Sequence, residues 1–398
     1  MSSPSVYQVN LQNQYGGGEV YTRFFTMALI DLGYQVVLFV SRKADFWESL
    51  LPAGVELVRV GGPAEILRAL PQAKSLVVTQ TGLDAAAALW VAKRHVLCGF
   101  VHMPMYERDP VGFRHYHLLL AVSQHVLDSV RERGYGKVFG EPMYGVADPR
   151  RGASGDALVA NSEYDWDRRK LRDRLLGLAE PWWRRHRSPS EFKKRPGLTL
   201  GIVSRLTPIK QFPLMFGILA AEIARFPRVS LEIFGSGGYA SVRDLRASLA
   251  PVLKQVRFWG HQPNVAAVYP QLDFVVSGLP EKEALGLNLI EAQYCGTPVL
   301  AVRAPPFTET VIEPQTGFFF ADPRQDGGGS FGQLLERLLA GAARPDPRQA
   351  SAHLERFSVA VFRERVARAL AAAAQIAETM AADGVNAMQT AARTSFGR

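Results

Sequence analysis

Hydrophobic residues in the first half of the chain fall alternately into short continuous runs and into runs at helical spacing. The continuous runs predict strands at residues 6–11, 35–41, 55–60, 75–80, 96–102 and 118–123. Between the first two strands, apolar residues recur at helical spacing over residues 19–32, and Gly33 is placed to end that helix. Strands that alternate with crossovers in this way predict a parallel sheet with both faces covered.

A second series of the same kind follows after a change of composition. Continuous apolar runs predict strands at residues 198–204, 230–234, 256–259, 273–277 and 299–302. Helical spacing predicts helices at residues 212–226, 242–253, 287–295 and 359–377. Because the two halves are similar in kind, the sequence predicts an α/β protein made of two Rossmann-like domains that face each other across a cleft.

The division between the two domains is predicted from the segment 161–196. Lysine and arginine crowd into it, and Pro181, Pro189 and Pro196 interrupt it, as expected of the end of a domain and a connector. We therefore expect a first domain at residues 1–195, which includes the connector, and a second domain at residues 196–355. Residues 356–398 are expected to form a helix that packs back on the first domain, followed by a tail.

Length and composition exclude several classes of protein. The 398 residues are 47% apolar and 21% charged, which is unlike a disordered, collagen-like or coiled-coil chain. No apolar run approaches the roughly 18 residues of a membrane span, and no basic and apolar leader precedes Arg23. Cys98 and Cys295 lack zinc-ligand spacing and are expected to be reduced core residues. These features predict a cytoplasmic protein.

The charge balance favours an anionic partner. Lysine and arginine number 46 against 37 acidic residues, a net charge of +9 that suits an anionic ligand, a nucleic acid or an anionic membrane surface. We expect no nucleic-acid partner, because no recognisable binding motif accompanies the charge. Residues 182–187 join two tryptophans to arginines, a pairing that favours the membrane–water interface. The alternative is that the tryptophans pack on the second domain and the arginines are solvated.

A glycine-rich stretch at Gly235 fits the dinucleotide pattern G-x-G-x-x-A after a predicted strand. A dinucleotide site also needs an acidic residue at the end of the next strand, but here that strand ends in Gly260-His261. A tight turn is therefore favoured over NAD binding, and a contact between these glycines and a bound nucleotide sugar remains open.

Asp165 and Asp167 form a pair of carboxylates that could hold Mn²⁺ or Mg²⁺ with a diphosphate. The pair lies in a charge-dense stretch and not after a buried strand, so a solvated helix start is favoured. The sequence predicts no metal site and no cofactor.

Two glutamates surround a predicted helix start at Gly286 and Leu287. The N–H groups of a helix N-terminus can bind phosphate, and Glu283 precedes this one. Glu291 follows one to two turns into the helix, where its carboxylate could accept two hydroxyls of a ribose. Taken alone, such glutamates are usually a capping carboxylate and a surface residue.

Two cations follow the first strand of the second half. Arg205 and Lys210 stand at the carboxyl end of that strand, where open α/β sheets bind ligands. Arginine offers phosphate a two-pronged donor and lysine a point charge. Either residue alone would usually be a solvated loop residue.

Two motifs stand out together: the E-x7-E element from Glu283 to Glu291 with its A-x-x-x-G-T-P-V tail, and the S-R-L-x-x-x-K element at 204–210. In combination they resemble the motifs of the retaining GT-B glycosyltransferases of the large bacterial family 4. The glycine loop at 16–18 with Glu19 is similar to the acceptor-side loop of that family. Further similarities are Phe100-Val101-His102, Val122-Ser123 and Tyr144-Gly145-Val146. The likeness extends from about residue 6 to 376. It departs at Ala284-Leu285, where the family commonly has Gly-Phe, and at the segment 161–196.

The resemblance implies transfer of a hexose with retention, without a metal, from a UDP- or GDP-linked sugar to a glycan, lipid-linked or other acceptor. The tryptophans and arginines of residues 182–187 add peripheral contact with the inner face of the membrane as one setting. The implied catalytic residues are Glu283, His102, Arg205 and Lys210. The implied donor contacts include the same two cations together with Gly16, Gly17, Gly18, Gly235, His261, Gly286, Leu287, Asn288 and Glu291.

Three other readings stay open at this point. A sugar-nucleotide epimerase could share the GT-B architecture, and a non-catalytic scaffold could share the fold. His102 could be a structural histidine at a strand end, which is the commoner case for a lone histidine.

Overall fold

The computed structural model describes residues 4–106, 110–147, 157–166, 171–185 and 190–395. By its internal contacts the chain divides into two compact units. The N-terminal unit consists of Met1–Val146 together with Arg356–Arg398, and the C-terminal unit is Ala147–Glu355. The segment 147–195, assigned above to the first domain, lies in the C-terminal unit by this division.

The N-terminal unit is built on a six-stranded sheet in which all neighbours are parallel, in the order β3-β2-β1-β4-β5-β6. Its strands are β1 (Ser5–Asn10), β2 (Gln35–Ser41), β3 (Val55–Val60), β4 (Leu76–Thr79), β5 (Val96–Val101) and β6 (Leu118–Ala121). Its helices are α1 (Gly17–Asp31), α2 (Trp47–Leu50), α3 (Pro63–Ala69), α4 (Ala85–Ala92) and α5 (Gln124–Glu132), joined at the end of the chain by α15 (Val359–Ser395).

The last helix completes the core of the N-terminal unit. Phe362 of α15 is buried, and its ring lies edge-on to Tyr21 of α1 with centroids 5.4 Å apart. Arg368 donates to both carboxylate oxygens of Glu141, at 2.5 and 2.9 Å. Helix α15 therefore packs on the unit formed by the first 146 residues, although the whole C-terminal unit separates them in sequence.

The C-terminal unit has a second six-stranded parallel sheet, in the order β12-β11-β10-β7-β8-β9. Its strands are β7 (Leu198–Val203), β8 (Val229–Phe234), β9 (Val256–Gly260), β10 (Phe274–Val276), β11 (Val299–Val302) and β12 (Gly317–Phe320). Its helices are α6 (Leu171–Arg185), α7 (Phe212–Ala224), α8 (Tyr239–Ser248), α9 (Val265–Val268), α10 (Leu287–Tyr294), α11 (Phe307–Thr310), α12 (Pro323–Asp326), α13 (Gly329–Leu339) and α14 (Ser351–Glu355).

The two sheets share one topology. In each, the first strand lies in the middle, the second and third follow on one side, and the fourth to sixth follow on the other. This is the strand order of a Rossmann fold. The predicted α/β class with two Rossmann-like domains is confirmed, and eleven of the twelve strands were predicted from their apolar runs.

Two of the departures from the sequence analysis have a clear physical reason. Strand β12 was not predicted, because its four residues Gly-Phe-Phe-Phe are too short a run to separate a strand from a buried turn. Helix α6 occupies part of the segment that was predicted to be a connector. Four of its large apolar residues, Leu171, Leu175, Leu178 and Trp182, are exposed, so the usual relation between pattern and burial fails there.

No helix within the described ranges combines the length and the apolar character that crossing a bilayer requires. Cys98 is buried and Cys295 half-buried, and neither forms a disulfide bond. Burial raises the pKa of the Cys98 thiol to about 12, so it is an inert core residue.

Glu232 carries a buried charge on β8. Its side chain is fully buried, and it accepts hydrogen bonds from Arg195 at 3.0 Å, from Arg257 at 2.6 Å and from the Trp259 indole at 2.7 Å. Both arginines are about one-third exposed, at 29% each. The carboxylate is therefore satisfied on several sides, and it joins β8 to β9 and to the chain entering β7.

Replacing Glu232 with alanine should destabilise the protein by about 3–5 kcal/mol, because two partly buried arginines would lose their counter-charge. The matched control is Arg243→Ala, which breaks the exposed pair with Asp244 and should cost less than about 1 kcal/mol. Urea denaturation followed by circular dichroism measures both. Equal losses in the two variants would contradict a stabilising role for the buried network.

Candidate functional site

The strand order of the C-terminal unit determines where a ligand crevice can form. From β7 the chain continues to β8 on one side of the sheet. The neighbour of β7 on the other side is β10, from which the chain continues away to β11. The loops that leave the carboxyl ends of these two neighbours therefore diverge, and open α/β sheets bind ligands at such a switch point. The two predicted motifs, at 204–210 and 283–291, begin in these two loops.

The two loops touch at Gly278. A Cβ atom at this position would lie 2.5 Å from the carbonyl oxygen of Lys210, so only glycine allows the approach. The contact brings the residues that follow β7 against the residues that follow β10. The sequence analysis did not single out Gly278, and its place directly after a strand was the only signal for it.

Lys210 and Glu283 form an ion pair across this contact, between Nζ and Oε2. Their side chains are 24% and 16% exposed, so both charges remain in reach of a ligand. The other oxygen of Glu283 accepts from the backbone N–H groups of Ala284 and Gly286, both at 3.3 Å. The capping role left open for Glu283 is thus realised, and the same carboxylate also faces a cation.

Helix α10 begins beside this pair. Asn288, in its first turn, donates from Nδ2 to the carbonyl of Val203 at 3.1 Å and so ties the helix start to the end of β7. The N–H groups of Leu287 and Asn288 precede the first intrahelical hydrogen bonds, which start at Leu289, and they carry partial positive charge. Arg205 is exposed on the loop that leaves β7. Lys210 therefore lies beside a helix N-terminus through Glu283, and Arg205 stands on the same loop as Lys210.

Glu291 lies in the second turn of α10 and is half-buried. The hydroxyl of the fully buried Tyr269 donates to its Oε2 at 2.9 Å. Burial raises the pKa of Glu291 to about 7, and the tyrosine hydrogen bond and the charge of Lys210 partly oppose that rise. Tyr269 was missed from the sequence, because it reaches the site from a separate turn with no motif of its own.

Gly235 lies at the end of β8 and is fixed by backbone packing. Its φ is 151°, and a Cβ atom there would lie 1.8 Å from the carbonyl oxygen of Ser204. Gly237 approaches Leu206 in the same way, at 2.1 Å. These glycines let the loop after β8 lie against the loop that carries Arg205, which is a packing reason for the G-x-G pattern.

His261 follows β9, two strands away from β7. Its side chain is exposed, while its backbone N–H donates to Ser162 and its carbonyl accepts from Asn161, both at 3.1 Å. The structure thus places His261 at the same edge of the sheet as the other predicted residues, where its backbone contacts are with residues 161 and 162.

Of the aspartate pair considered as metal ligands, Asp165 is exposed and its backbone N–H donates to Gly237 at 2.8 Å. Asp167 lies outside the described residues. Within the parts of the chain that the structure covers, no three histidine, cysteine, aspartate or glutamate side chains cluster closely enough to hold a metal ion.

His102 follows β5 in the N-terminal unit. Its Nε2 lies 2.7 Å from Oε1 of Gln80, which follows the neighbouring strand β4. Burial lowers the pKa of His102 to about 4, so the ring is neutral near pH 7. In the tautomer that donates from Nε2 to this amide oxygen, Nδ1 is an acceptor. Gln80 was not predicted from the sequence.

The glycine loop of the N-terminal unit leads into α1. Gly16 caps the helix in an extended conformation, and Gly17 is its first residue. A Cβ atom at Gly18 would meet nothing within 4 Å. The open space over the helix start is compatible with close approach of a ligand, and the backbone itself does not require glycine at Gly16 or Gly18.

Comparisons with known proteins agree with the motifs. Residues 185–341 match the family model "Glycosyl transferases group 1". D-inositol 3-phosphate glycosyltransferase of Mycobacteroides abscessus is 32% identical over 155 residues, which are 36% of this chain and 33% of that protein. The enzyme of the same name from Segniliparus rotundus is 28% identical over 335 residues, 76% of this chain and 72% of that one. The match to the first of these relatives thus spans about a third of its length.

Among solved structures, HepE of Anabaena in complex with UDP is similar with a TM-score of 0.65 and 18% identity, covering 93% of this chain and 100% of that one. The same protein in complex with UDP-glucose gives a TM-score of 0.63 at 18% identity, over 92% and 99% of the two chains. At this identity the likeness establishes the fold. The predicted resemblance to GT-B glycosyltransferases is confirmed.

The raised pKa of Glu291 predicts a pH-dependent stability. A carboxyl whose folded pKa lies above its unfolded value stabilises the fold below the unfolded value, near 4.5, and loses that contribution as pH rises through about 7. The free energy of unfolding of the wild type should therefore fall, relative to Glu291→Gln, by on the order of 2 kcal/mol between pH 4.5 and 8.

Urea denaturation of wild type and Glu291→Gln at several pH values measures this difference. The exposed Glu336→Gln serves as the control and should leave the pH profile of the wild type unchanged. Parallel profiles for wild type and Glu291→Gln would show that the carboxyl titrates in its ordinary range.

Proposed function

We propose that this chain, whose residues 185–341 match the model of the glycosyl transferases group 1, transfers a hexose from a nucleoside-diphosphate sugar to an acceptor hydroxyl, with retention and without a metal ion. The observation that carries the proposal is the pairing of Lys210 with Glu283 beside the start of α10, at the switch point of the sheet. That arrangement joins groups for a diphosphate to a carboxylate for sugar hydroxyls. A UDP-sugar is the first donor to test, because the similar HepE was solved with UDP and with UDP-glucose.

The diphosphate is proposed to bind between the cations and the helix start. Lys210 supplies a point charge, Arg205 a two-pronged donor, and the first N–H groups of α10 supply hydrogen bonds. The main barrier to transfer is the separation of an anionic diphosphate from a sugar with oxocarbenium character. Fixed positive groups on the leaving oxygens lower that barrier most in the transition state. They do the work that a divalent ion does elsewhere, which is why we propose that none is needed.

Glu283 is proposed to orient the donor sugar. Backbone N–H groups hold one of its oxygens and Lys210 the other, so the carboxylate keeps one position while it accepts hydrogen bonds from sugar hydroxyls. Its pairing with Lys210 also couples the sugar contact to the phosphate contact. Glu291, backed by Tyr269, is proposed to accept the ribose hydroxyls.

The proposed transfer takes place on one face of the sugar. The bond between C1 and the phosphate oxygen breaks, and its electron pair stays on the diphosphate. The acceptor oxygen forms a bond to C1 from the same face, and its proton passes to the departing phosphate oxygen. Binding holds the acceptor oxygen beside the leaving phosphate oxygen on the same face of the sugar, so no enzyme nucleophile is required.

His102 is proposed to contact the donor sugar through Nδ1, since its Nε2 is held by Gln80. A neutral imidazole in this state accepts a hydroxyl hydrogen bond without adding charge.

The acceptor is proposed to be a glycan or a lipid-linked molecule. The proposed setting is the cytoplasm, with peripheral contact at an anionic membrane.

The proposal predicts that the protein consumes a UDP-sugar in the presence of EDTA. Thermal shift with UDP-, GDP- and ADP-sugars identifies the donor, since a ligand at 100 times its Kd adds roughly 2.7 kcal/mol to the free energy of unfolding. Nuclear magnetic resonance of the product should show the anomeric configuration of the donor. Loss of activity in EDTA with rescue by Mn²⁺ would refute metal independence, and conversion of the sugar without an acceptor would favour an epimerase.

Lys210→Ala and Arg205→Ala should each lower kcat by about 100-fold or more at saturating donor, because each removes charge that stabilises the leaving diphosphate. Lys282→Ala and Arg243→Ala are the controls, since both residues are exposed cations of the same unit. The circular dichroism spectra of all four variants should match the wild type. If kcat of both site variants stayed near that of the wild type, the diphosphate would have to bind elsewhere.

A further inference from the structure

Helix α6 exposes the apolar side of an amphipathic helix. Leu171, Leu175, Leu178 and Trp182 are spaced by four, three and four residues, which places them in one narrow stripe. Their exposures are 64%, 57%, 74% and 69%. In a surface helix of a globular protein such a stripe faces the core. Here four large apolar side chains face solvent together, and we call them the α6 stripe.

The opposite face of α6 is the one that packs on the protein. Asp173 is buried, and Glu180 accepts from the indole N–H of Trp166 at 2.5 Å. Gly177 lies so near Trp166 that a Cβ atom would be 3.1 Å from its ring. Arg172 lies over the ring of Tyr239, 4.1 Å from the centroid. Several independent contacts therefore hold the helix with its polar face inward.

Basic residues flank the α6 stripe in the sequence. Arg174 is exposed within the helix, and the sequence places Arg168, Arg169 and Lys170 before it and Arg184, Arg185 and Arg187 at or after its end. Residues 167–170 and 186–189 lie outside the described part, and only their place in the sequence is used. The two acidic residues of α6 itself, Asp173 and Glu180, are on the face that packs inward. The outward face thus carries the apolar stripe, Arg172 and Arg174 are exposed within the helix, and the sequence on both sides of it is rich in basic residues.

We propose that α6 is a membrane-docking helix that lies in the plane of an anionic lipid surface, with the α6 stripe in the boundary between headgroups and acyl chains. Amphipathic helices with leucine and tryptophan on one face and arginine beside them bind such interfaces. Each lysine or arginine near an anionic leaflet adds to the attraction. This inference deepens the peripheral membrane contact included in the proposed function by assigning it to α6. Docking itself requires no sugar transfer, so the two proposals can be tested apart.

The charge pattern favours a lipid surface over a second copy of the chain. Packing one α6 stripe against another would bring two arginine-rich segments together, and like charges in an interface oppose association. An anionic leaflet instead neutralises the arginines while it covers the stripe. The tryptophan at the end of the stripe fits the interfacial level, where an indole has both apolar and polar surroundings.

Flotation of the full chain with lipid vesicles tests the proposal. The protein should float with vesicles of phosphatidylcholine and phosphatidylglycerol, stay behind with phosphatidylcholine alone, and be released by high salt. The double variant Leu175→Ser with Leu178→Ser should bind at least about tenfold more weakly, since two apolar side chains no longer gain burial. Leu253→Ser, at a leucine that is 46% exposed elsewhere in the same unit, should bind like the wild type.

Trp182 gives a direct readout of insertion. Brominated lipids in the anionic vesicles should quench part of the tryptophan fluorescence, and Trp182→Phe should reduce that quenching while flotation persists. Equal recovery with both vesicle types, or binding that the double serine variant leaves unchanged, would overturn the proposal. So would a dimer in light scattering that the double serine variant dissociates, since the stripe would then be an interface between copies.

Transfer to a water-soluble acceptor separates this inference from the proposed function. The double serine variant should keep wild-type kcat in that assay while it loses vesicle binding. Absence of transfer in the wild type together with normal vesicle binding would refute the proposed function and leave the docking helix in place.

Discussion

The close approach of two loops at Gly278 is the constraint on which the candidate site depends. The sheet order makes the chain diverge between β7 and β10, and the missing side chain at Gly278 lets the two diverging loops touch. That contact is what places Lys210 against Glu283, and Asn288 then fixes the start of α10 to the end of β7. Two motifs whose paired residues lie 73 positions apart in sequence thus meet because the backbones of their loops touch. The ion pair between their side chains adds to that contact.

Much of this arrangement follows from sequence, because continuous apolar runs and loop motifs are local signals. Eleven strands, the positions of Arg205 and Lys210 after a strand, and the helix start at Gly286 could all be predicted from such signals. Tyr269 and Gln80 could not, since each acts through a partner brought near only by folding. The protonation of Glu291 was equally hidden, because burial and not residue type raises its pKa.

Helix α6 shows a different limit of sequence reasoning. Its apolar spacing is regular, and an apolar stripe ordinarily predicts a buried face. The direction in which the stripe points depends on Trp166 and Tyr239, which pack against the polar side and come from other segments. Periodicity gives the face of a helix but not the identity of what covers it. The proline and arginine content of the segment concealed the helix further.

The return of α15 to the N-terminal unit has a consequence for the order in which the chain can fold during synthesis. The C-terminal unit is one continuous segment, so all its residues leave the ribosome before residue 356 does. The N-terminal unit, although made first, lacks Phe362 and the rest of α15 until translation is nearly complete. Its surface around Tyr21 must therefore remain uncovered while more than 200 further residues emerge, a count set by the 209 residues of Ala147–Glu355. The N-terminal unit is therefore synthesised first but is the later of the two to complete its core.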